Sequence, residues 1–273
     1  MGRAEELVTR ARASLSEAAL RTGDFASVEA LLSEALQLAD ADGDLRSQAN
    51  ALDQLGLLLH FRTLELPREQ WRTIDSGPEL ELFERALAVR RQIGDATGVP
   101  ESLFHVGLVH QVLRGDWDVS IPLFREGLSL AEPGGDVHLR GELHRHVGFH
   151  IMLKDRRPDE ALPYFQMSLD LWRTLDRSGW VIAGLIALAR CESLAGRHGQ
   201  AIVHSSEALE LARQQGLRQR YVTSAEETHR MAEAAAAEHA GKPWRYLRRA
   251  IDTPSRSGTI TLSSRGSPAT RSL

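Results

Sequence analysis

Apolar residues recur at spacings of three and four along most of the chain, the pattern of helices that bury one broad face. No stretch alternates apolar and polar residues with β-branched side chains, as a half-buried strand does. The clearest helical stretches are NALDQLGLLLHF from Asn50, ESLFHVGLVHQVL from Glu101, GELHRHVGFHIML from Gly141 and AGLIALARCESLA from Ala183. The pattern therefore predicts an all-α fold.

A second helical stretch follows each of these and recurs at a nearly fixed period. Its copies are LFERALAVRRQIGD from Leu82, LFREGLSLAEPGGD from Leu123, YFQMSLDLWRTLDR from Tyr164 and HSSEALELARQQGL from His204, with an earlier copy, LLSEALQLADADGD, from Leu31. The aligned residues Phe83, Phe124, Phe165 and Ser205 are 41, 41 and 40 positions apart. Turns rich in Gly, Asp and Pro separate the stretches. A repeated helix–turn–helix unit is predicted.

Small and aromatic residues hold equivalent places in these units. Gly56, Gly107 and Gly148 each follow Leu or Val in a first helix, and two turns read Gly-Asp-aromatic, as at 115–117. Together with the second-helix aromatic, these residues resemble the tetratricopeptide repeat family. The period of 40 to 41 exceeds the family's usual value of about 34, so the chain is similar to the long-period bacterial type. HEAT repeats share the longer period, but the turn and second-helix signature favours tetratricopeptide repeats.

The resemblance implies a right-handed α-solenoid of about five hairpins plus a C-terminal capping helix. The solenoid is expected at 1–251 and a flexible Ser/Thr/Gly/Pro-rich tail at 252–273. The expected units are repeats at about 5–42, 45–94, 99–136, 138–177 and 179–216, followed by capping helices at 217–251.

The second repeat contains ten extra residues, near 62–77. Insertions in solenoids map to one loop face, often the binding face. The segment is either a simple extension of two helices or a cover over the groove, with Trp71 between Arg68 and Arg72 as a partner anchor.

Composition restricts the possible functions. The 273 residues are 42% hydrophobic and carry a formal net charge of -4, which does not favour a nucleic-acid or membrane-surface partner. The one cysteine, Cys191, excludes an intramolecular disulfide. No signal peptide or membrane-spanning apolar run is apparent, so a cytoplasmic protein is expected.

Catalytic motifs are not found. Phosphate-loop, dinucleotide, zinc-helix and nucleophile-elbow patterns are missing from the sequence, so a non-enzyme without a cofactor is expected. One alternative is a metal-binding protein or metal-dependent enzyme. His105, His146 and His150 lie on the first helices of repeats three and four and are candidates to converge on a transition metal.

The resemblance also implies a concave groove lined by first helices. Carried over residue by residue, it assigns the peptide-binding surface to Asp53, His60, Phe104, Gln111, Arg145, Phe149 and Arg190. The apolar members are equally interpreted as core. The expected function is a non-catalytic module that binds a peptide or partner helix, as a regulator or scaffold, with a homo-oligomer as a further possibility.

Overall fold

A computed structural model describes residues 2–131, 134–175 and 178–238, and within these ranges the chain contains helices and no β-strand. The first six α-helices are α1 (Arg3–Glu17), α2 (Phe25–Asp42), α3 (Leu45–Leu64), α4 (Gly77–Gln92), α5 (Val99–Leu108) and α6 (Trp117–Ala131). Further along the described chain are α7 (Val137–Phe149), α8 (Pro158–Arg173), α9 (Ser178–Leu194), α10 (His198–Gln214) and α11 (Gln219–Ala237).

Consecutive helices pack against each other, which confirms the predicted α-solenoid. Helices α1 to α10 form five hairpins, and α11 follows as the capping helix. The expected cap beyond residue 238 and the expected tail at 252–273 lie outside the described residues. None of the helices in the described ranges is both long and apolar enough to cross a membrane.

Glycine and aspartate shape the turns inside the hairpins. Gly23 and Gly115 have φ values of 73° and 74°, the left-handed region that glycine enters without a Cβ clash. The Asp24 carboxylate accepts a hydrogen bond from the Ser27 N–H at 3.2 Å and caps the N-terminus of α2. These turn residues determine where the first helix of a hairpin ends and where the second helix begins.

The two helices of a hairpin meet where an aromatic ring lies on a glycine. The pairs are Gly56 with Phe83, Gly107 with Phe124, and Gly148 with Phe165, and they are called here the Gly–aromatic joints. A Cβ at Gly107 would lie 2.6 Å from Phe124 Cε1, closer than any real Cβ contact. All three rings are fully buried. Glycine at these three positions of the sequence pattern therefore allows the two helices of a hairpin to approach closely.

Three first helices end in a π-helical turn, at Ala18–Thr22, Val109–Arg114 and His150–Lys154. From the sequence alone, repeats three and four carry one extra residue, which we expect in the turn. The structure places it inside the helix instead, because a π-turn takes one more residue than an α-turn. After the third π-turn, Arg156 adopts a φ of 60° where the first, third and fifth hairpins have glycine, at Gly23, Gly115 and Gly196.

The solenoid curves so strongly that its C-terminal end reaches the first hairpin. The Arg218 N–H donates to the Leu20 carbonyl at 2.9 Å, and Arg220 forms an ion pair of 2.6 Å with Glu65. The Leu20 side chain also packs on Gly179 at the start of α9. These contacts are called here the closing seam. They turn an open curved array into a ring around a central space.

Candidate binding cavity

The central space is a cavity of about 2110 Å³. Its wall is formed by the first helices α1, α3, α5, α7 and α9, together with α11. The segment 65–76 between α3 and α4, called here the inserted loop, also contributes to the wall through Arg68, Trp71 and Arg72. The predicted concave surface thus lines a large, partly open cavity, called here the chamber.

Most of the predicted groove residues do face this chamber. Those that line it are His60, Phe104, Gln111, Arg145, Phe149 and Arg190. Several have little exposed surface, since Phe104 is 6% and Gln111 is 4% accessible. They are therefore part of the core and part of the wall at once.

Asp53 does not line the cavity, although the sequence analysis assigns it to the peptide-binding surface. It is 0% exposed and forms a 2.7 Å ion pair with Arg90. It also accepts a hydrogen bond from Ser102 at 2.8 Å and lies 3.1 Å from His105 Nδ1. The reason is electrostatic: an arginine buried on α4 needs a buried carboxylate, and Asp53 on α3 supplies it.

Glu101 extends this buried network towards the cavity. It pairs with Arg90 and with Arg12 of α1, each at 3.0 Å. Burial alone would raise the pKa of Glu101, but Arg12 and Arg90 outweigh it and lower that pKa to about 2. The network ties α1, α4 and α5 together and is a structural feature of the wall.

Gln111 and His146 lock α5 and its π-turn to α7. The Gln111 side-chain amide donates to the His146 carbonyl at 3.1 Å, and its oxygen lies 2.5 Å from His146 Nδ1. Arg145 lies 3.0 Å from His146 Nε2 and, as an obligatory donor, makes this nitrogen an acceptor. Burial, followed by Arg145 and His60, lowers the pKa of His146 well below its usual value. His146 is thus a neutral imidazole with its proton on Nδ1.

Arg145 is also fixed by aromatic rings. Its guanidinium lies 5.4 Å from the centre of the Phe149 ring and 5.7 Å from that of Trp172, and it pairs with Glu142 at 2.6 Å. Trp172 fits because Gly141 on α7 leaves room: a Cβ there would lie 2.3 Å from the indole nitrogen. This side of the wall is rigid and aromatic.

The histidines do not form a metal centre. Among the described residues, no group of three or more His, Cys, Asp and Glu side chains could hold a metal ion. The expectation that His105, His146 and His150 converge is therefore wrong. His105 is held by Asp53, while His150 lies outside the cavity lining, with Nε2 3.6 Å from Asp155. The three rings thus have different partners: Asp53 for His105, Gln111 for His146 and Asp155 for His150.

The single cysteine has low chemical reactivity. Cys191 is fully buried, and its Sγ lies 3.2 Å from the Pro158 carbonyl. Burial, followed by the nearby Glu192, raises the pKa of the thiol to about 12. A thiol of this kind is a poor nucleophile at neutral pH.

The fold and cavity can now be compared with known proteins. Residues 140–214, which cover the fourth and fifth hairpins, match the family model described as tetratricopeptide repeat. This part of the chain consists of tetratricopeptide repeats. No curated protein matches it.

Solved structures resemble this chain at low sequence identity. BtubC (BKLC) from P. vanneervenii is 14% identical, with a TM-score of 0.57 and 100% of both chains covered. Kinesin light chain TPR-like repeats from Podosopora anserina are 14% identical, with a TM-score of 0.47, 77% of this chain covered and 93% of the other. At such identity, the first likeness shows a shared tetratricopeptide-type architecture and nothing more specific.

Sequence reasoning misses the contribution of α11 to the wall of this tetratricopeptide array. Tyr221, Arg230 and Met231 line the cavity, although the sequence predicts the helix only as a cap. Ala225 and Ala232 are buried, while Tyr221 and Met231 face the chamber. Tyr221 lies four residues before Ala225, on the same side of the helix, so the apolar pattern of α11 does not distinguish a cap from a helix that also lines the cavity.

Proposed function

We propose that this chain is a non-catalytic protein–protein interaction module that binds a peptide segment or a partner helix inside the central cavity. The observation that supports it is the chamber of about 2110 Å³ lined by the first helices. Sites for small molecules are usually about 300–1,000 Å³. Three turns of an α-helix about 10–12 Å across fill roughly 1,500 Å³, so a segment of polypeptide matches the chamber better.

The chemistry of the wall also suits a polypeptide. Phe104 and Phe149 offer apolar anchoring surface, while Arg145 and Arg190 offer fixed donors for backbone or side-chain oxygens. Aromatic and arginine side chains dominate the binding energy of protein interfaces. Because these wall residues are held by their own neighbours, a ligand meets a preorganised surface and less entropy is lost on binding.

Part of the same proposal is the setting in which the protein acts. We propose a regulatory or scaffold role in the cytoplasm, carried out without catalysis and without a metal. Tetratricopeptide folds generally act by binding other proteins, which supports this choice. The buried and weakly nucleophilic Cys191 is consistent with it.

A display library of random 12-residue peptides tests the proposal. We expect enriched peptides that lose at least about tenfold in affinity with Phe149→Ala or Leu153→Ala, since both side chains line the chamber. Val203→Ala is the matched control, because this side chain is 63% exposed and does not line the chamber. The melting temperature of each variant separates lost binding from lost folding. Enrichment of no peptide, or equal loss with all three variants, would contradict the proposal.

A further inference from the structure

The buried polar side chains of the chamber wall fall into two groups. On α7 they satisfy one another, since His146 has its Nδ1 2.5 Å from the Gln111 oxygen and its Nε2 3.0 Å from Arg145. Three side chains on α3 and α5 differ. Each lines the chamber, is at most 4% exposed, and keeps a polar atom without a hydrogen-bond partner among the described residues. They are called here the polar subsite and consist of Gln54, His60 and His105.

The two imidazoles of the polar subsite have one nitrogen held and the other open. Nδ1 of His60 lies 2.8 Å from Glu79, and Nδ1 of His105 lies 3.1 Å from Asp53. A carboxylate accepts hydrogen bonds, so Nδ1 is the donor in each ring. Neither Nε2 has a partner among the described residues, and neither is sealed from the chamber by surrounding atoms. Each ring is thus oriented by a buried carboxylate and presents Nε2 to the chamber.

The Gln54 side chain is the third member and can both donate and accept. It is 2% exposed, makes no hydrogen bond with any described residue, and has neither of its amide atoms sealed off. Gln54 directly follows Asp53, the partner of His105, so these two members lie at about the same height on the wall. His60 lies six residues further along α3, which is about 9 Å along the helix axis.

The wall around these polar atoms is apolar. Leu57 on α3 and Phe104 and Leu108 on α5 line the same part of the chamber. A buried polar group without a partner destabilises the folded chain, and an apolar side chain of the same shape would not. The fold therefore gains nothing from an unpaired amide here. An apolar wall with a few fixed polar groups is the usual composition of a binding site, so these groups point to a ligand.

We propose that the polar subsite binds the backbone of an extended polypeptide segment. A helix would not fit this role, because its backbone N–H and C=O groups are already bonded to each other. An extended segment leaves both kinds of group free for Gln54 and the two imidazoles. It advances about 3.3 Å per residue, so three residues span the distance along α3 between Gln54 and His60. This inference rests on the proposed function, since it selects the extended segment from the two occupants named there.

The variant Gln54→Leu tests whether the amide serves a ligand or the fold. We expect its melting temperature to equal or exceed that of the wild type, because an unpaired buried amide is replaced by an apolar group of similar shape. We expect its affinity for the enriched 12-residue peptides to fall at least about tenfold. Gln92→Leu is the matched control, since Gln92 is exposed on α4, outside the cavity lining and unpaired with any described residue. A clearly lower melting temperature for Gln54→Leu, or an unchanged affinity, would overturn the inference.

A second experiment tests the conformation of the occupant. In the tightest enriched peptide, each backbone N–H is replaced in turn by N–CH₃, and binding is measured by calorimetry. We expect losses of at least about tenfold at isolated positions, one of which should disappear in His105→Phe. That variant keeps Asp53 paired with Arg90 and Ser102, so the buried network remains. Losses at every interior position, independent of His105, would indicate a helical occupant and refute the inference.

The two proposals can fail separately. Peptides that depend on Phe149 and Leu153 but bind Gln54→Leu as tightly as the wild type refute only the role of the polar subsite. Enrichment of no peptide at all refutes the proposed function, and this inference with it.

Discussion

The Gly–aromatic joints and the closing seam hold the same ring by opposite means. At the joints, fully buried rings lie on glycine backbone, so the contact is apolar, dense and intolerant of added volume. At the seam, one backbone hydrogen bond, one packed leucine and an exposed cluster of Glu65 with Arg218 and Arg220 join chain segments that are far apart in sequence. We therefore expect the joints to determine global stability and the seam to determine how often the chamber opens.

The largest expected effect comes from a joint. Gly107→Leu places a four-carbon side chain where even a Cβ would lie 2.6 Å from Phe124, and we expect it to cost at least about 3 kcal/mol of unfolding free energy. Gly199→Leu is the control, because a Cβ at Gly199 meets no atom within 4 Å. Urea denaturation measures both. Similar midpoints for the wild type and Gly107→Leu would show that the joints do not control stability.

An intermediate effect is expected from the buried network between joints. Glu101→Gln removes the charge that pairs with Arg12 and Arg90, and we expect a loss of about 1–3 kcal/mol at pH 7. The folded pKa of Glu101 is about 2, below its usual value of 4.5. Its contribution is thus fully present above about pH 5 and is lost as the pH falls towards 2.

The difference in stability between wild type and Glu101→Gln should therefore narrow on acidification, as measured by urea denaturation at pH 7 and pH 3. Glu81→Gln serves as control, since Glu81 is exposed on α4 and unpaired with any described residue. If this difference in unfolding free energy were the same at pH 7 and pH 3, the ionised Glu101 side chain would not be the group that stabilises the network.

The smallest effect on stability is expected at the closing seam. Glu65→Gln removes ion pairs to Arg218 and Arg220 and should change the unfolding free energy by less than about 1 kcal/mol. Local opening should nevertheless become more frequent, so hydrogen exchange of the Arg218 amide and of the first turn of α11 should rise several-fold. Glu17→Gln is a matched control, because it removes an exposed pair with Arg21 inside one hairpin. An equal rise in exchange in both variants would remove any special role for the seam.

The contrast also explains which features the sequence predicts. The joints are local, and the spacing of Gly107, Phe124 and their equivalents reveals both the fold and the cavity-lining first helices. Asp53 is different, because its burial depends on Arg90, which belongs to another helix. The seam joins residues such as Glu65 and Arg218 that are 153 positions apart, and no periodic pattern encodes such a contact.

The histidines show the same limit. His146 and His150 are four residues apart in the sequence, which is about one turn of an α-helix. In the structure a π-turn begins at His150, and the two rings contact different partners. The extra residue that produces this turn is visible in the repeat length. Its position within the helix is not, because π-turns and longer loops give equal counts.

Ring closure fixes the copy number of the repeat. Open solenoids can gain or lose whole units, because each unit contacts only its neighbours. Here the duplication or deletion of one hairpin would carry Arg218 away from Leu20 and separate α11 from the inserted loop. Homologues that retain the chamber should therefore vary in their loops and side chains but keep five hairpins, whereas those with a different number should lack a closed cavity altogether.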